Sequence, residues 1–339
     1  MEISDEQLRI PSDQMKAELF RILLRLGFTA ERAYKCAEIF TLNSLEGVYS
    51  HGVNRFPRFV KSIREGHIRP DGMPSLVHRT GAIEQWNGNL GPGPLNALFA
   101  TDRAMEVASE NSIGLVSLAN TNHWMRGGTY GWKAARQGFV LICWTNTCPN
   151  MPAWGAKDPR IGNNPFIIAV PYHNEAVVLD FAMSQFSYGK MESFRNEGRK
   201  LPYMGGFNAD NKLTDDPGEI LDSWRPLPAG YWKGSGLSLL LDILATVLSG
   251  GLSTHQLSSC VSETAISQVF IAIQLKSLRN FPAIEKSIDL IIEDLHKSVP
   301  ENADTKIRYP GENVIDIRNE NLKNGIPVSR NLWDKIVSM

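Results

Sequence analysis

The sequence is poor in cysteine, in excess charge of either sign and in long apolar runs. Four cysteines, Cys36, Cys143, Cys148 and Cys260, among 339 residues are too few for a disulfide framework. They also lack the paired CxxC spacing of a zinc site. Scattered cysteines suit a reducing compartment, so a cytoplasmic protein is expected. Lys plus Arg (35) and Asp plus Glu (36) nearly cancel, for a net charge of −1, which leaves no global basic field for nucleic acid. The N-terminus, MEISDEQLRIPSDQ, is polar and has no apolar signal-peptide core. The longest apolar stretch, residues 237–248, contains Asp242 and falls short of the ~20 residues of a membrane span. It is expected to be a buried helix, and no membrane partner is expected. HExxH, an EF-hand loop and GxSxG are all missing, so neither a bound metal nor a hydrolase elbow is implied.

What is present suits a folded enzyme. Hydrophobic residues make up 42% of the chain, enough for a large core. The first third reads as helical. Ser12 is positioned to cap a first helix with Leu19, Phe20, Leu23, Leu24 and Leu26 at helical spacing. Thr29 is positioned to cap a second helix, with Ala33, Cys36, Ala37 and Phe40 on one face and Gly47 at its end. A third helix is expected over 54–65. Pro70, Gly72 and Pro74 then break the pattern. Strands are expected at 82–86, 113–119, 139–145, 166–170, 176–180 and 269–275, with helices at 95–109, 128–137, 237–248 and 284–296. The elements mix without strict βαβ alternation, which points to an α/β (α+β) fold with a mixed sheet. Two domains are expected: a helical one over 1–76, joined by parts of 124–140 and 306–339, and a mixed α/β one over 77–305.

Three segments concentrate chemistry. Gly88-Asn89-Leu90-Gly91-Pro92-Gly93 sits where a dinucleotide fingerprint would be. The third glycine is Asn96, though, and Pro92 and Pro94 remove N–H donors, so a tight turn is the preferred reading. Tyr49-Ser50-His51-Gly52-Val53-Asn54-Arg55-Phe56-Pro57-Arg58 packs an imidazole, a hydroxyl and two guanidiniums into ten residues. His51 can exchange a proton near neutral pH, and Arg55 carries a fork that matches a carboxylate. Asn120-Thr121-Asn122-His123-Trp124-Met125-Arg126-Gly127-Gly128 follows a buried strand, where α/β proteins place sites. Separately, Trp232-Lys233-Gly234-Ser235-Gly236 opens the long apolar helix, with Lys233 at its positive end.

In order along the chain, these pieces, with Gly162-Asn163-Asn164-Pro165, Leu179-Asp180 and Tyr309-Pro310-Gly311-Glu312, resemble the malate/L-lactate/sulfolactate dehydrogenases. That family binds a nicotinamide cofactor on a non-Rossmann fold. The resemblance implies NADH as cofactor, with NADPH left open, and a small 2-oxo acid reduced at C2 to a 2-hydroxy acid. Tryptophan at both 124 and 232 points to a branch acting on a sugar-derived diketo acid. Other 2-oxo acids, a cyclic imine acid, or a non-catalytic ligand-binding protein of the same fold are the rivals. The resemblance makes His51, His123 and Arg55 the catalytic residues, His51 being the favoured proton donor. It makes Thr147, Ala176, Val177, Val178, Leu179, Asp180, Phe181, Ala182, Trp232, Lys233, Gly311, Glu312 and Asn313 the cofactor residues. It also implies a homodimer.

Overall fold

A computed structural model describes residues 7–258, 263–303 and 305–339; Cys260 lies outside them. The chain opens with strand β1 (Gln7–Ile10), helices α1 (Ser12–Arg25) and α2 (Ala30–Leu45), two 3-10 turns (Tyr49–His51, Val53–Arg55) and α3 (Phe56–Arg64). Next come β2 (Ser75–Thr80), β3 (Ile83–Asn87), α4 (Gly93–Asn111), β4 (Ile113–Asn122), α5 (Gly128–Ala135) and β5 (Phe139–Thr145). The short pair β6 (Met151–Pro152) and β7 (Pro159–Ile161) precedes the hairpin β8 (Phe166–Tyr172) and β9 (Glu175–Phe181). Then follow α6 (Tyr188–Asn196), β10 (Gly206–Phe207), β11 (Leu213–Thr214), α7 (Pro217–Ser223), α8 (Trp232–Ser249) and α9 (Thr254–Leu257). β12 (Thr264–Gln274), α10 (Phe281–His296), α11 (Glu312–Asn324), β13 (Ile326–Ser329) and α12 (Arg330–Val337) complete the chain.

The central sheet has seven strands in the order β2-β3-β4-β12-β5-β8-β9. Only β3–β4 is parallel; the other pairs run antiparallel. This is the mixed sheet expected from the sequence, and it explains why a Rossmann reading of the glycine turn fails. One apolar core lies under α4 and α5 against the sheet. A second joins Met15, Leu19, Cys36 and Phe40 of the N-terminal helices to Val328, Trp333 and Ile336 near the C-terminus. The β1–β13 pairing closes that helical layer across the ends of the chain.

Local chemistry accounts for the differences from expectation. Thr29 caps α2 by accepting the Arg32 N–H, but Pro11, not Ser12, occupies the cap of α1. Ser12 is already the first helical residue. The third helix begins at Phe56 rather than 54, because the chain first bends through two 3-10 turns around Gly52. A Cβ on Gly52 would lie 2.2 Å from Ser44 Oγ, the atom that accepts the Val53 N–H. The 113–119 strand extends to Asn122. The apolar helix starts earlier, at Trp232, and is not buried all round: Leu239, Leu240, Ile243, Leu244 and Val247 are exposed. Its hydrophobicity comes from more than one face, a pattern that periodicity alone reads as burial.

The glycine-rich turn serves close approach. A Cβ on Gly93 would meet the carbonyl oxygens of His123 and Asn122 at 2.2 and 2.3 Å. Asn122 Nδ2 donates to Leu90 O and Gly91 O (2.9 and 3.0 Å), and Asn96 Nδ2 donates to Gly88 O and Thr121 Oγ1 (2.9 and 2.8 Å). The turn thereby presses on the end of β4 that carries His123. Gly93→Ala is expected to destabilise the fold by about 3 kcal/mol in urea unfolding, since backbone carbonyls cannot rotate away as a side chain would. A change near zero would show that the β4 end yields freely.

Candidate active site

A cavity of about 1480 Å³ opens between the N-terminal helical layer, the ends of the central strands and α6. Its walls bring together His51, Arg55 and Arg58 from the turns and α3, His123 after β4, and Glu263 just before β12. Thr147, Asn163, Val178, Asp180, Phe181, Ala182 and Gly311 form another part of the wall.

The two imidazoles come from segments far apart in sequence and stack, with ring centroids 5.7 Å apart and planes 19° from parallel. Their hydrogen bonds differ in a way that separates their chemistry. His123 Nδ1 accepts the Met125 N–H at 3.0 Å. An acceptor nitrogen carries no proton, so the neutral ring holds its proton on Nε2. A second proton on Nδ1 would face a donor. His51 Nδ1 instead lies 3.0 Å from Ser50 Oγ, and a hydroxyl can accept as well as donate. His51 can therefore take up a second proton without losing its partner. Burial, then the charges of Arg55 and Arg126, push His51 down to about 4. Burial, with Arg55 next, holds His123 well below the ordinary histidine value.

The scaffold beneath these rings is ionic. Glu46, at the end of α2, is buried and paired with Arg126, and it accepts from Arg318 Nε at 3.0 Å. Arg126 Nε also lies 3.9 Å from Asp180. Asn43 adds a neutral tie: its Nδ2 donates to His51 O at 2.9 Å, and its Oδ1 accepts from Thr129 Oγ1 at 2.6 Å. The α2 end is thus tied through Glu46 to the loop that follows His123, and through Asn43 to both the His51 turn and the first turn of α5.

The expected cofactor residues divide. Ala176, Val178 and Asp180 share one face of β9: Ala176 is buried in the core, and further along Val178 and Asp180 reach the cavity. Val177 and Leu179 are not among the lining residues, whereas Phe181 and Ala182 are. Thr147 is held by Asn164, whose Oδ1 accepts from Thr147 N at 3.0 Å. Gly311 has φ +94°, and a Cβ there would meet Val178 N and O at 3.3 Å; Val178 N donates to Pro310 O at 2.9 Å. The Gly311 loop is thus packed tightly on the β9 wall at the edge of the cavity, a fixed border that an extended dinucleotide could lie along. Glu312 turns elsewhere, accepting the Tyr309 N–H at 3.0 Å and pairing with His296 at 3.2 Å. Asn313 does not line the cavity. Trp232 and Lys233 also lie outside it, in the exposed first turn of α8. Arg58, the second guanidinium of the 49–58 segment, also lines the cavity, whereas the motifs did not single out Glu46, Glu192 or Glu263. Nothing local marks them, since they join the site only through tertiary contacts.

The chain matches the malate/L-lactate dehydrogenase family over residues 10–337. It belongs to that family. It is 44% identical over 333 residues to the 2,3-diketo-L-gulonate reductases of Escherichia coli K12 and Citrobacter koseri, covering 98% of this chain and 100% of each relative. Among solved structures, malate dehydrogenase from Entamoeba histolytica shares the fold (TM-score 0.92, 23% identity, 98% of this chain and 97% of that one). Sulfolactate dehydrogenase from Methanocaldococcus jannaschii aligns with a TM-score of 0.88 at 26% identity, over 97% and 95% of the two chains. A putative malate/lactate dehydrogenase from E. coli gives 0.91 at 26%, over 98% and 96%. Membership makes this chain a dehydrogenase-type oxidoreductase that uses a nicotinamide cofactor.

The electrostatics predict a titration. Burial first, and then the positive charges of Arg55 and Arg126, disfavour the imidazolium, so His51 in the substrate-free protein is expected to titrate well below 6.5 in an NMR pH series. Arg55→Met removes one of those charges and should move the value upward, toward 6.5. A His51 that titrates at 6.5 or above in the unmodified protein would contradict the effect of its burial and of Arg55 and Arg126.

Proposed function

We propose that this protein reduces the C2 carbonyl of 2,3-diketo-L-gulonate to 3-dehydro-L-gulonate, with NADH as hydride donor. The observation that carries the reading is the convergence of His51, His123 and Arg55 on one cavity. The substrate is taken from the reductases that the chain matches from end to end.

Arg55 holds the substrate carboxylate through its planar fork, which fixes the neighbouring carbonyl in place. His123 donates from Nε2 to the carbonyl oxygen, the one role its fixed tautomer permits. His51, as imidazolium, delivers the proton to that oxygen as negative charge builds there. A bound substrate carboxylate offsets the charge of Arg55, raising the affinity of His51 for its proton when the proton is needed. Val178, Asp180, Ala182, Thr147 and the Gly311 backbone hold the cofactor; when bound, the reduced nicotinamide supplies hydride to C2. The choice of NADH over NADPH rests on the family resemblance, since Asp180 is already engaged by the Gly128 N–H at 2.7 Å.

We place the enzyme in the cytoplasm and read it as a homodimer. Cys36 and Cys143 are buried as free thiols, which suits a reducing compartment. The exposed Leu239, Leu240, Ile243, Leu244 and Val247 of α8 form an apolar stripe that a second copy would cover. Trp232 and Lys233 begin the same helix, so in that dimer they would serve the cofactor from the partner's side. A monomer in light scattering would overturn this assembly.

The function is tested by following NADH and NADPH oxidation with 2,3-diketo-L-gulonate, oxaloacetate, pyruvate and Δ1-pyrroline-2-carboxylate. The expected outcome is the highest kcat/KM for the diketo acid with NADH; a clear preference for another acceptor would replace the reading. In the same assay, His51→Gln should lower kcat by roughly 10²–10⁴, the span of a lost general acid, with little change in cofactor KM. His123→Gln should cost less, about 10–10² if it supplies one hydrogen bond to the developing oxyanion. The reverse ranking would move the acid role to His123.

A further inference from the structure

Arg55 does not face an empty cavity. Its Nη2 lies 3.7 Å from Glu263 Oε2, and the two side chains are 25% and 17% exposed. The sheet places this carboxylate. Thr264 pairs with Asn122 across the antiparallel β12–β4 ladder, so one step further along each chain sets Glu263 beside His123. Thr264 Oγ1 reinforces the register, donating to Asn122 Oδ1 at 2.9 Å and to His67 O at 3.2 Å. Glu263 therefore reaches Arg55 from a fixed strand end, not from a freely moving surface chain.

The geometry of the pair is that of a loose contact. At 3.7 Å it is an ion pair without a hydrogen bond, and the donor fork of Arg55 is left for a better acceptor. A half-buried guanidinium without any counter-ion would be costly; Glu263, ahead of the more weakly acting Glu192, offsets that cost while no substrate is present. A 2-oxo acid brings a carboxylate of the same charge and the same two oxygens to the same guanidinium. The two carboxylates cannot share Arg55 closely without repelling each other.

We propose that Glu263 is the internal counter-ion of Arg55, which the substrate carboxylate must displace, so that Glu263 sets affinity for 2-oxo acids without taking part in the chemistry. Glu263 is in this sense a positioning residue that acts through Arg55. The inference rests on the reading of Arg55 as the carboxylate ligand. It predicts a split that a merely structural role would not produce: removing the competing charge should tighten substrate binding.

The test uses the full-length protein and three variants, with KM and kcat measured for 2,3-diketo-L-gulonate and Kd for oxamate, an unreactive analogue of a 2-oxo acid. Glu263→Gln should lower KM and the oxamate Kd about three- to tenfold, with kcat within twofold and cofactor KM unchanged. Glu263→Asp, whose carboxylate is drawn back by one methylene, should shift both in the same direction by less. Arg55→Lys should raise KM about ten- to hundredfold, as expected when a fork becomes a point charge. If Arg55→Lys raises KM while both Glu263 variants leave it unchanged or raise it, the counter-ion proposal fails and the role of Arg55 stands. If Arg55→Lys leaves KM unchanged, both fail together. Failure of both Glu263 variants to fold would also overturn the proposal, because a counter-ion that substrate displaces cannot be what holds the fold.

Discussion

A single buried carboxylate ties the site together. Glu46 sits five residues before His51, and its partner Arg126 sits three residues after His123, so their ion pair joins the two segments that carry the imidazoles. Arg318 on α11 closes the pair from the other side and continues to Glu175 at the start of β9 at 2.8 Å. One charge cluster thus connects the N-terminal helices, the strand wall and α11. Burying such a cluster is expensive, and removing one member would leave an uncompensated charge worth about 3–5 kcal/mol of destabilisation. What it provides is register. The helical layer cannot slide against the sheet without separating these groups.

That register matters because the proposed chemistry depends on a difference between two similar side chains. Both histidines are half-buried, both lie near Arg55, and they stack on one another. Burial and charge hold both below the ordinary value and do not by themselves distinguish their roles. The distinction comes from one backbone N–H. Met125 donates to His123 Nδ1 and commits that ring to a single neutral tautomer, while His51 has an adaptable hydroxyl beside it. The glycine turn supports the same arrangement from behind, since Gly93 lets α4 approach the His123 carbonyl more closely than any side chain would allow.

Much of the site is legible in the sequence because its parts are compact. His51 and Arg55 lie within one turn-rich segment, and His123 with Arg126 in another, so residue type and spacing suffice to suggest them. The mixed sheet is likewise visible in the uneven alternation of strands and helices. Relations between segments are not visible in this way. Glu46 reads as an ordinary polar residue at a helix end, and only the packed structure makes it a buried counter-ion. Glu263 belongs to a run without a motif, and its place beside His123 follows from strand register. The apolar α8 misleads for the opposite reason: hydrophobicity is readable, but whether a face meets its own core or another chain is not. Trp232 and Lys233 show the same limit, since their motif is local and their place in the structure lies outside the cavity.

The central claim is that His123 is a fixed neutral donor and His51 the group that takes on and delivers the proton. Long-range ¹H–¹⁵N spectra of the imidazoles, recorded from pH 7.5 down to the edge of stability, test it most directly. The account predicts that His123 shows the Nε2–H tautomer throughout, with Nδ1 unprotonated, while His51 gains its second proton at the acid end. A His123 that carries its proton on Nδ1, or that becomes doubly protonated before His51, would contradict it.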